Sequence, residues 1–139
     1  MPAAGVMLAA LAASAPAAGS KKPRLDLRVY PQQGPPSEEF VFIGELQGGD
    51  EGEALYCPEL EWRWDKDAAS VQESDCPPFQ AGVTPVERRF RFSRRFAEEG
   101  TRTISLVLRK DGKQLVAARV SIRVTWDKKP PSLGVQTIR

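Results

Sequence analysis

The stretch Leu60-Glu61-Trp62-Arg63-Trp64 decides the fold of this chain. Leu60, Trp62 and Trp64 alternate with the charged residues Glu61 and Arg63, and this period of two is typical of a β-strand with one buried and one solvated face. Two indoles on one face bring a large apolar area. The pattern therefore predicts a strand in which Trp62 and Trp64 form the floor of the hydrophobic core.

Two cysteines, Cys57 and Cys76, bracket this strand with 18 residues between them. In an exported chain the simplest interpretation is one disulfide, and a loop of this length would stabilise the fold by about 3 kcal/mol. Two free, buried thiols in a cytosolic protein are the alternative. The pair alone predicts no metal site, because the chain has no histidine and zinc would need further ligands.

The segment from Gly5 to Ala18 is apolar, rich in alanine and free of charge. Its 14 residues are too few for a membrane span, which needs about 20, but suit the apolar region of a secretory signal. Small residues predict cleavage after Ala17 or Gly19. We interpret residues 1–19 as a signal peptide and the protein as secreted or periplasmic; an Ala/Pro tail is the alternative, since no lysine or arginine precedes the run.

Residues 20–129 are predicted to form one all-β domain, with a loose tail over residues 130–139. Short alternating or apolar runs separated by turns recur along this region, and no segment has a helical period. About seven short strands of this kind predict an antiparallel β-sandwich. Six of these runs are Leu25–Val29, Glu39–Leu46, Leu60–Trp64, Val86–Phe92, Ile104–Leu108 and Val116–Trp126.

The end of the domain carries the clearest alternation. Asp111-Gly112 predicts a tight turn, and the flanking runs, ending at Leu108 and beginning at Val116, predict a long hairpin. Trp126 shares the apolar parity of the returning strand. We therefore expect Trp126 to face the core.

Two interruptions are predicted before this hairpin. Between Asp65 and Pro85 the sequence is polar and proline-rich, which predicts a long irregular crossing pinned by the disulfide rather than a helix. After Phe90 and Phe92, Arg94 falls on the inward parity, which predicts that the strand ends or bulges near Ser93.

Charge is unevenly distributed along the chain. Residues 38–75 contain 12 acidic and two basic residues, whereas residues 87–139 contain 14 basic and five acidic residues. Such asymmetry can indicate a polyanion-binding half. If early and late strands are neighbours in the sandwich, the charges should instead compensate across strand pairs.

Three stretches resemble the polycystic kidney disease (PKD) repeat, an immunoglobulin-like β-sandwich common in exported bacterial proteins. They are the opening Gln33–Pro36 with Phe40–Phe42, the tryptophan turn Trp62–Asp67, and the corner and strand Arg95–Leu106. The resemblance covers about 95 residues, from Val29 to Val124. It implies an immunoglobulin-like, PKD-type fold.

The family's modules are mostly spacers, adhesion units, or protein- or carbohydrate-binding domains, so the resemblance implies a non-enzymatic binding or spacing role. A stoichiometric protein inhibitor or an envelope chaperone is the alternative. In the tryptophan turn, Asp65 and Asp67 stand where the family has glycines. Because positive φ is costly for residues other than glycine, we expect no turn with positive φ there. Trp62, Trp64, Phe96 and Gly100 are the predicted structural core.

Candidate catalytic groups are few. Without histidine, the Ser-His-Asp and Cys-His arrangements and any histidine base are excluded. Glu59 and Glu61 would point the same way along a strand, about 6–7 Å apart, a spacing that overlaps that of glycosidases, but a solvated strand face is the favoured interpretation. We therefore expect no catalytic residue and no cofactor.

Calcium is an alternative that the acidic loops leave open. Two sets of carboxylates could supply hard oxygen ligands, although no twelve-residue calcium-loop signature is present. The sets are Asp50, Glu51 and Glu53, and Asp65, Asp67 and Asp75.

Five arginines interleave with phenylalanines between residues 88 and 96. The phenylalanine spacing is typical of a core face, which leaves Arg89 and Arg91 on the solvent face. They are interpreted either as an edge-protecting, solvated row or as a face for an anionic glycan or an acidic protein surface. We expect a monomer without a nucleic-acid partner or a membrane span.

Overall fold

Two β-sheets make up the part of the chain that the structure describes. The computed structural model describes residues 22–50 and 52–127, so the predicted signal peptide and C-terminal tail lie outside it. Apart from the 3₁₀ turn Glu53–Leu55, its regular elements are strands. They are β1 (Arg24–Tyr30), β2 (Gln33–Gly34), β3 (Glu39–Gln47), β4 (Glu59–Arg63), β5 (Ser70–Gln72), β6 (Arg89–Arg95), β7 (Gly100–Lys110) and β8 (Lys113–Val124).

The strands form a three-stranded sheet, β1-β3-β6, and a five-stranded sheet, β2-β8-β7-β4-β5. All pairs are antiparallel except β2 with β8, which is parallel. Only Pro31 and Gln32 separate β1 from β2, so the chain passes from one sheet to the other at this point. The predicted all-β class is confirmed, with eight strand segments in the described range rather than seven.

The apolar core lies between the two sheets. Trp62 and Trp64 are fully buried and stack on each other with ring centroids 5.8 Å apart and planes 7° from parallel. Phe42 of the facing sheet contacts both indoles, at 6.2 and 5.5 Å. β4 and the adjoining Trp64, together called the tryptophan strand, therefore form the floor on which the second sheet packs.

β5 gives these two indoles their hydrogen-bond partners. Trp62 Nε1 donates to Gln72 Oε1 at 3.0 Å and Trp64 Nε1 donates to Ser70 Oγ at 2.8 Å. Because a buried N–H without an acceptor is costly, this three-residue strand has a structural role out of proportion to its length.

The predicted hairpin is present, but its last residue was placed wrongly. Asp111 and Gly112 form the β7–β8 turn with φ angles of 55° and 79°, as a turn with two left-handed residues requires. β8 ends at Val124, after which the Thr125 amide donates to the Gly34 carbonyl at 2.8 Å. Trp126 has therefore left the strand and is 66% exposed.

The expected end or bulge near Ser93 is also wrong. β6 continues to Arg95 and pairs with β3 without a register shift. Arg94 keeps its inward parity because its guanidinium lies 4.7 Å from the Trp64 ring centroid and forms an ion pair with Asp67 at 3.2 Å. Cation–π contact and an anion together make the inward position favourable for a charged side chain.

A second arginine of inward parity, Arg102 on β7, completes this arrangement. It is 4% exposed, forms an ion pair with Asp67 at 3.4 Å, and lies 4.9 Å from the Phe96 ring centroid. Its Nη1 also donates to the Trp64 carbonyl. We call Arg94, Arg102 and Asp67 the arginine clamp. The two arginines contact Trp64, one through its ring and the other through its carbonyl, and both pair with Asp67.

Asp65 contradicts the expectation that the tryptophan turn avoids positive φ. Its φ is 74°, in the left-handed region where aspartate is tolerated better than most residues. Its Oδ2 accepts a hydrogen bond from the Thr103 amide at 2.9 Å, and this bond to the neighbouring strand offsets the backbone cost.

The disulfide predicted between Cys57 and Cys76 is present. It holds the crossing from residue 65 to residue 85, which is irregular except for β5. Nearby, the Tyr56 hydroxyl donates to the Pro77 carbonyl at 2.6 Å, and the Tyr56 and Phe79 rings lie 5.2 Å apart. Across residues 22–50 and 52–127, no helix has the length and apolar character that crossing a membrane requires.

Candidate anion-binding face

Of the two carboxylates considered for glycan chemistry, Glu59 and Glu61, arginines hold Glu61. Glu61 forms ion pairs with Arg63 at 3.1 Å and with Arg109 at 2.8 Å. Hydrogen bonds from Arg63 and then Arg109 lower the pKa of Glu61, whereas a general acid needs a raised one. Val107, directly opposite Glu61 in the register, is only 2% exposed although it points away from the core. The Glu61 ion pairs therefore lie beside the buried Val107 on the outer face of the five-stranded sheet.

The second set of calcium candidates is not assembled. Asp65 binds the Thr103 amide and Asp67 belongs to the arginine clamp. Within the described ranges, no group of three or more Asp, Glu, Cys or His side chains has metal-binding geometry. The first set includes Glu51, which lies outside the described residues, and Asp50 Oδ1 accepts from the Gly52 amide at 3.0 Å.

Two ion pairs between neighbouring strands compensate part of the charge asymmetry. Glu45 of β3 pairs with Arg89 of β6 at 3.5 Å, and Glu61 of β4 pairs with Arg109 of β7. β3 carries acidic residues beside the arginine-rich β6, but β7 and β8 are both basic and are neighbours. The asymmetry is therefore compensated only in part.

The solvent face of the three-stranded sheet carries the predicted arginines. Strand pairing places its outer residues in rows that cross β1, β3 and β6. One row is Asp26, Glu45 and Arg89; the next is Arg28, Ile43 and Arg91; the third is Tyr30, Val41 and Ser93. Arg95 lies opposite Glu39 at the far end of β6.

Most arginines near this face have partners within the chain. Arg88 Nη1 donates to the Gly48 carbonyl at 3.0 Å, Arg95 Nη1 donates to the Ser37 carbonyl at 2.8 Å, and Arg24 Nη2 donates to Gln47 Oε1 at 2.7 Å. Because carbonyl and amide oxygens carry no formal charge, these hydrogen bonds do not neutralise the arginines. On the outer face of β6, Arg89 contacts a carboxylate, that of Glu45.

Arg28 and Arg91 differ from the others. Both are exposed, and within residues 22–50 and 52–127 neither side chain has an ion pair, a hydrogen bond or a ring contact. They flank the half-buried Ile43 on adjacent strands, about 10 Å apart between backbones. Of the predicted pair, Arg89 is therefore partly neutralised and Arg91 is available.

Arg28 was missed as a functional candidate by sequence reasoning. Arg28 alternates with the apolar residues Leu27 and Val29, and this alternation predicted that its side chain faces solvent. Its place in the row with Arg91 depends on the register of two strand pairs, and no local pattern encodes that register.

The predicted core residues are placed as follows. Trp62, Trp64 and Phe96 are buried, and Gly100 begins β7 with a φ of 141°.

Comparison with protein-family models and with curated proteins found no match to this chain.

Proposed function

We propose that this chain is an exported, non-enzymatic binding module of the immunoglobulin-like, PKD type, which holds an anionic partner on the solvent face of β6. The anion is a sulfated or uronate-rich glycan or the acidic surface of a protein. Arg91 carries the proposal, since it is the exposed arginine of β6 without an intramolecular partner in the described range.

The order of the strands supports the immunoglobulin-like type. A first strand split between the two sheets, with β4 and β7 adjacent in one sheet and β3 and β6 adjacent in the other, agrees with the arrangement of such sandwiches. The disulfide supports export, because disulfides persist mainly in oxidising compartments.

The electrostatics of β6 support an anionic partner. Arg89, Arg91 and Arg95 share its outer face, and one carboxylate, that of Glu45, contacts them. Arginine forks suit carboxylate and sulfate oxygens. The half-buried Ile43 beside Arg91 adds apolar contact area next to the charge.

The test is salt-dependent retention on immobilised heparin and on immobilised polyglutamate. We expect Arg91→Glu to lower the salt concentration needed for elution, and Arg89→Glu/Arg91→Glu to lower it further. The matched control is Lys66→Glu, which makes the same charge change on an exposed loop of the other sheet. This control should elute close to the wild type.

The two columns distinguish the sources of the anion. Retention on heparin alone favours a glycan, and retention on polyglutamate alone favours an acidic protein. Equal shifts for Arg91→Glu and Lys66→Glu would mean that only net charge matters, and a wild-type chain that passes both columns at low salt would be a spacer. Either result contradicts the proposal.

A further inference from the structure

The free edge of β1 is a regular feature that the proposed function does not use. All seven residues of β1 pair with β3 without a bulge, and in the described part of the chain no strand pairs with the opposite edge. A groove of about 600 Å³ runs along that edge, lined by β1 and Gln32. β8 of the facing sheet passes close to β1, but within the described residues it does not pair with it, so the backbone groups of this edge can accept another strand.

The outer face of β1 is complementary to itself. It presents Arg24, Asp26, Arg28 and Tyr30, while Leu25, Leu27 and Val29 face the core. If a second β1 pairs antiparallel about Leu27, each Asp26 lies opposite an Arg28 of the other copy. In the same register each Arg24 lies opposite a Tyr30, an arrangement suited to cation–π contact.

Other registers lose this match. A shift by two residues in one direction places Arg28 opposite Arg28, and a shift in the other direction places Asp26 opposite Asp26. A parallel pairing in register places every charge opposite itself. Like charges directly opposite each other destabilise strand pairing, so the register centred on Leu27 is favoured.

The unpaired state of Arg28 fits this register. Arg28 is exposed and has no partner within the described residues, although Asp26 lies two residues away on the same face. Asp26 Oδ2 accepts from Gln47 Nε2 at 2.8 Å, which holds the carboxylate in place and leaves Oδ1 for another donor.

We propose that a second copy of this chain occupies the edge of β1, forming a symmetric dimer in which Asp26 and Arg28 of each copy pair with Arg28 and Asp26 of the other. The two three-stranded sheets then become one six-stranded sheet. The β6 strands lie at its two outer ends, about 24 Å apart, and the arginine row of each β6 stays exposed. The dimer does not depend on anion binding, and it replaces the monomer expected from the sequence.

The test is the mass of the full chain in solution, measured by sedimentation velocity from micromolar to millimolar concentration at low salt. The wild type should shift from monomer to dimer with concentration. Asp26→Arg and Arg28→Asp should each weaken the dimer by at least about tenfold, because each variant places like charges opposite each other at both symmetric positions. Lys66→Glu should leave the dimer unchanged.

Two complementary experiments separate this effect from loss of folding. The exchanged variant Asp26→Arg/Arg28→Asp should dimerise again, and an equimolar mixture of the two single variants should form a heterodimer. A wild type that stays monomeric at millimolar concentration overturns the proposal, as does a mixture that shows no recovery. A monomer whose β1 amides become protected from hydrogen exchange by an alternating Glu-Val heptapeptide would assign the edge to a foreign strand instead.

Discussion

Replacing Asp67 with asparagine should destabilise the fold far more than its exposed position suggests. Asp67 is 42% exposed, but it faces Arg94, whose side chain is 28% exposed, and Arg102, which is 5% exposed. The Arg94 pair alone would be worth less than about 1 kcal/mol. Arg102 would keep a buried charge without its anion, a change that costs about 3–5 kcal/mol when both groups are fully buried.

Water reaches Asp67, so the cost must fall below that range. We expect Asp67→Asn to lower the free energy of unfolding by about 2 kcal/mol and the melting temperature by about 8 °C. Urea unfolding followed by tryptophan fluorescence measures this free energy, because the buried Trp62 and Trp64 become exposed when the chain unfolds. The urea dependence of the unfolding free energy should not change.

Asp111→Asn is the matched control, since Asp111 is exposed in a turn whose φ of 55° asparagine also adopts. It should change stability by less than about 0.5 kcal/mol. A double-mutant cycle between Asp67→Asn and Arg102→Met should show coupling. If Asp67→Asn resembles Asp111→Asn, or if the coupling is absent, the arginine clamp does not hold the tryptophan strand.

Three further predictions follow from packing, covalent structure and titration. Replacing Cys57 and Cys76 with serine should cost about 3 kcal/mol in urea unfolding; a loss below about 1 kcal/mol would show that the crossing is held without the bridge. Gly44→Ala should destabilise the fold by about 1–3 kcal/mol, because its Cβ would lie 2.8 Å from Leu106 Cδ2; a gain in stability would refute this close approach of the sheets. Because hydrogen bonds from its arginine partners lower the pKa of Glu61, the contribution of Glu61 to stability is present at neutral pH and is lost as the pH falls below 4.5 through the lower folded value. The stability difference between wild type and Glu61→Gln should therefore shrink on acidification, and a difference independent of pH would contradict the ion pairs.

The sequence predicted the parts of the fold that depend on local alternation. The tryptophan strand, the Asp111-Gly112 hairpin and the disulfide each rest on a pattern of side-chain parity, turn chemistry or cysteine number. β5 was not predicted, because three residues in a polar stretch are too short to show a period. Its role, accepting hydrogen bonds from the two indoles, is visible only in three dimensions.

The inward arginines show where parity alone fails. A charged side chain on the inward face predicts the end of a strand, but Arg94 and Arg102 meet aromatic faces and share Asp67. These contacts join residues 27 and 35 positions apart. Tertiary neighbours of this kind override a local rule, and no local pattern identifies them in advance.

The candidate face was predicted in part for the same reason. Parity placed Arg89 and Arg91 on the solvent face, but strand register decided that Glu45 contacts Arg89 and that Arg28 lies in the row of Arg91. The available charges of a sheet face therefore depend on which strands become neighbours.

The most direct test of the anion-binding proposal is a titration of the ¹⁵N-labelled protein with a heparin-derived hexasaccharide, followed by amide chemical shifts. The largest shifts should lie on the outer face of β6, at Arg89, Arg91 and Arg95, and Arg91→Glu should abolish saturation. Spectra that do not change, or shifts centred on the loop around Lys66, would contradict the assignment of this face.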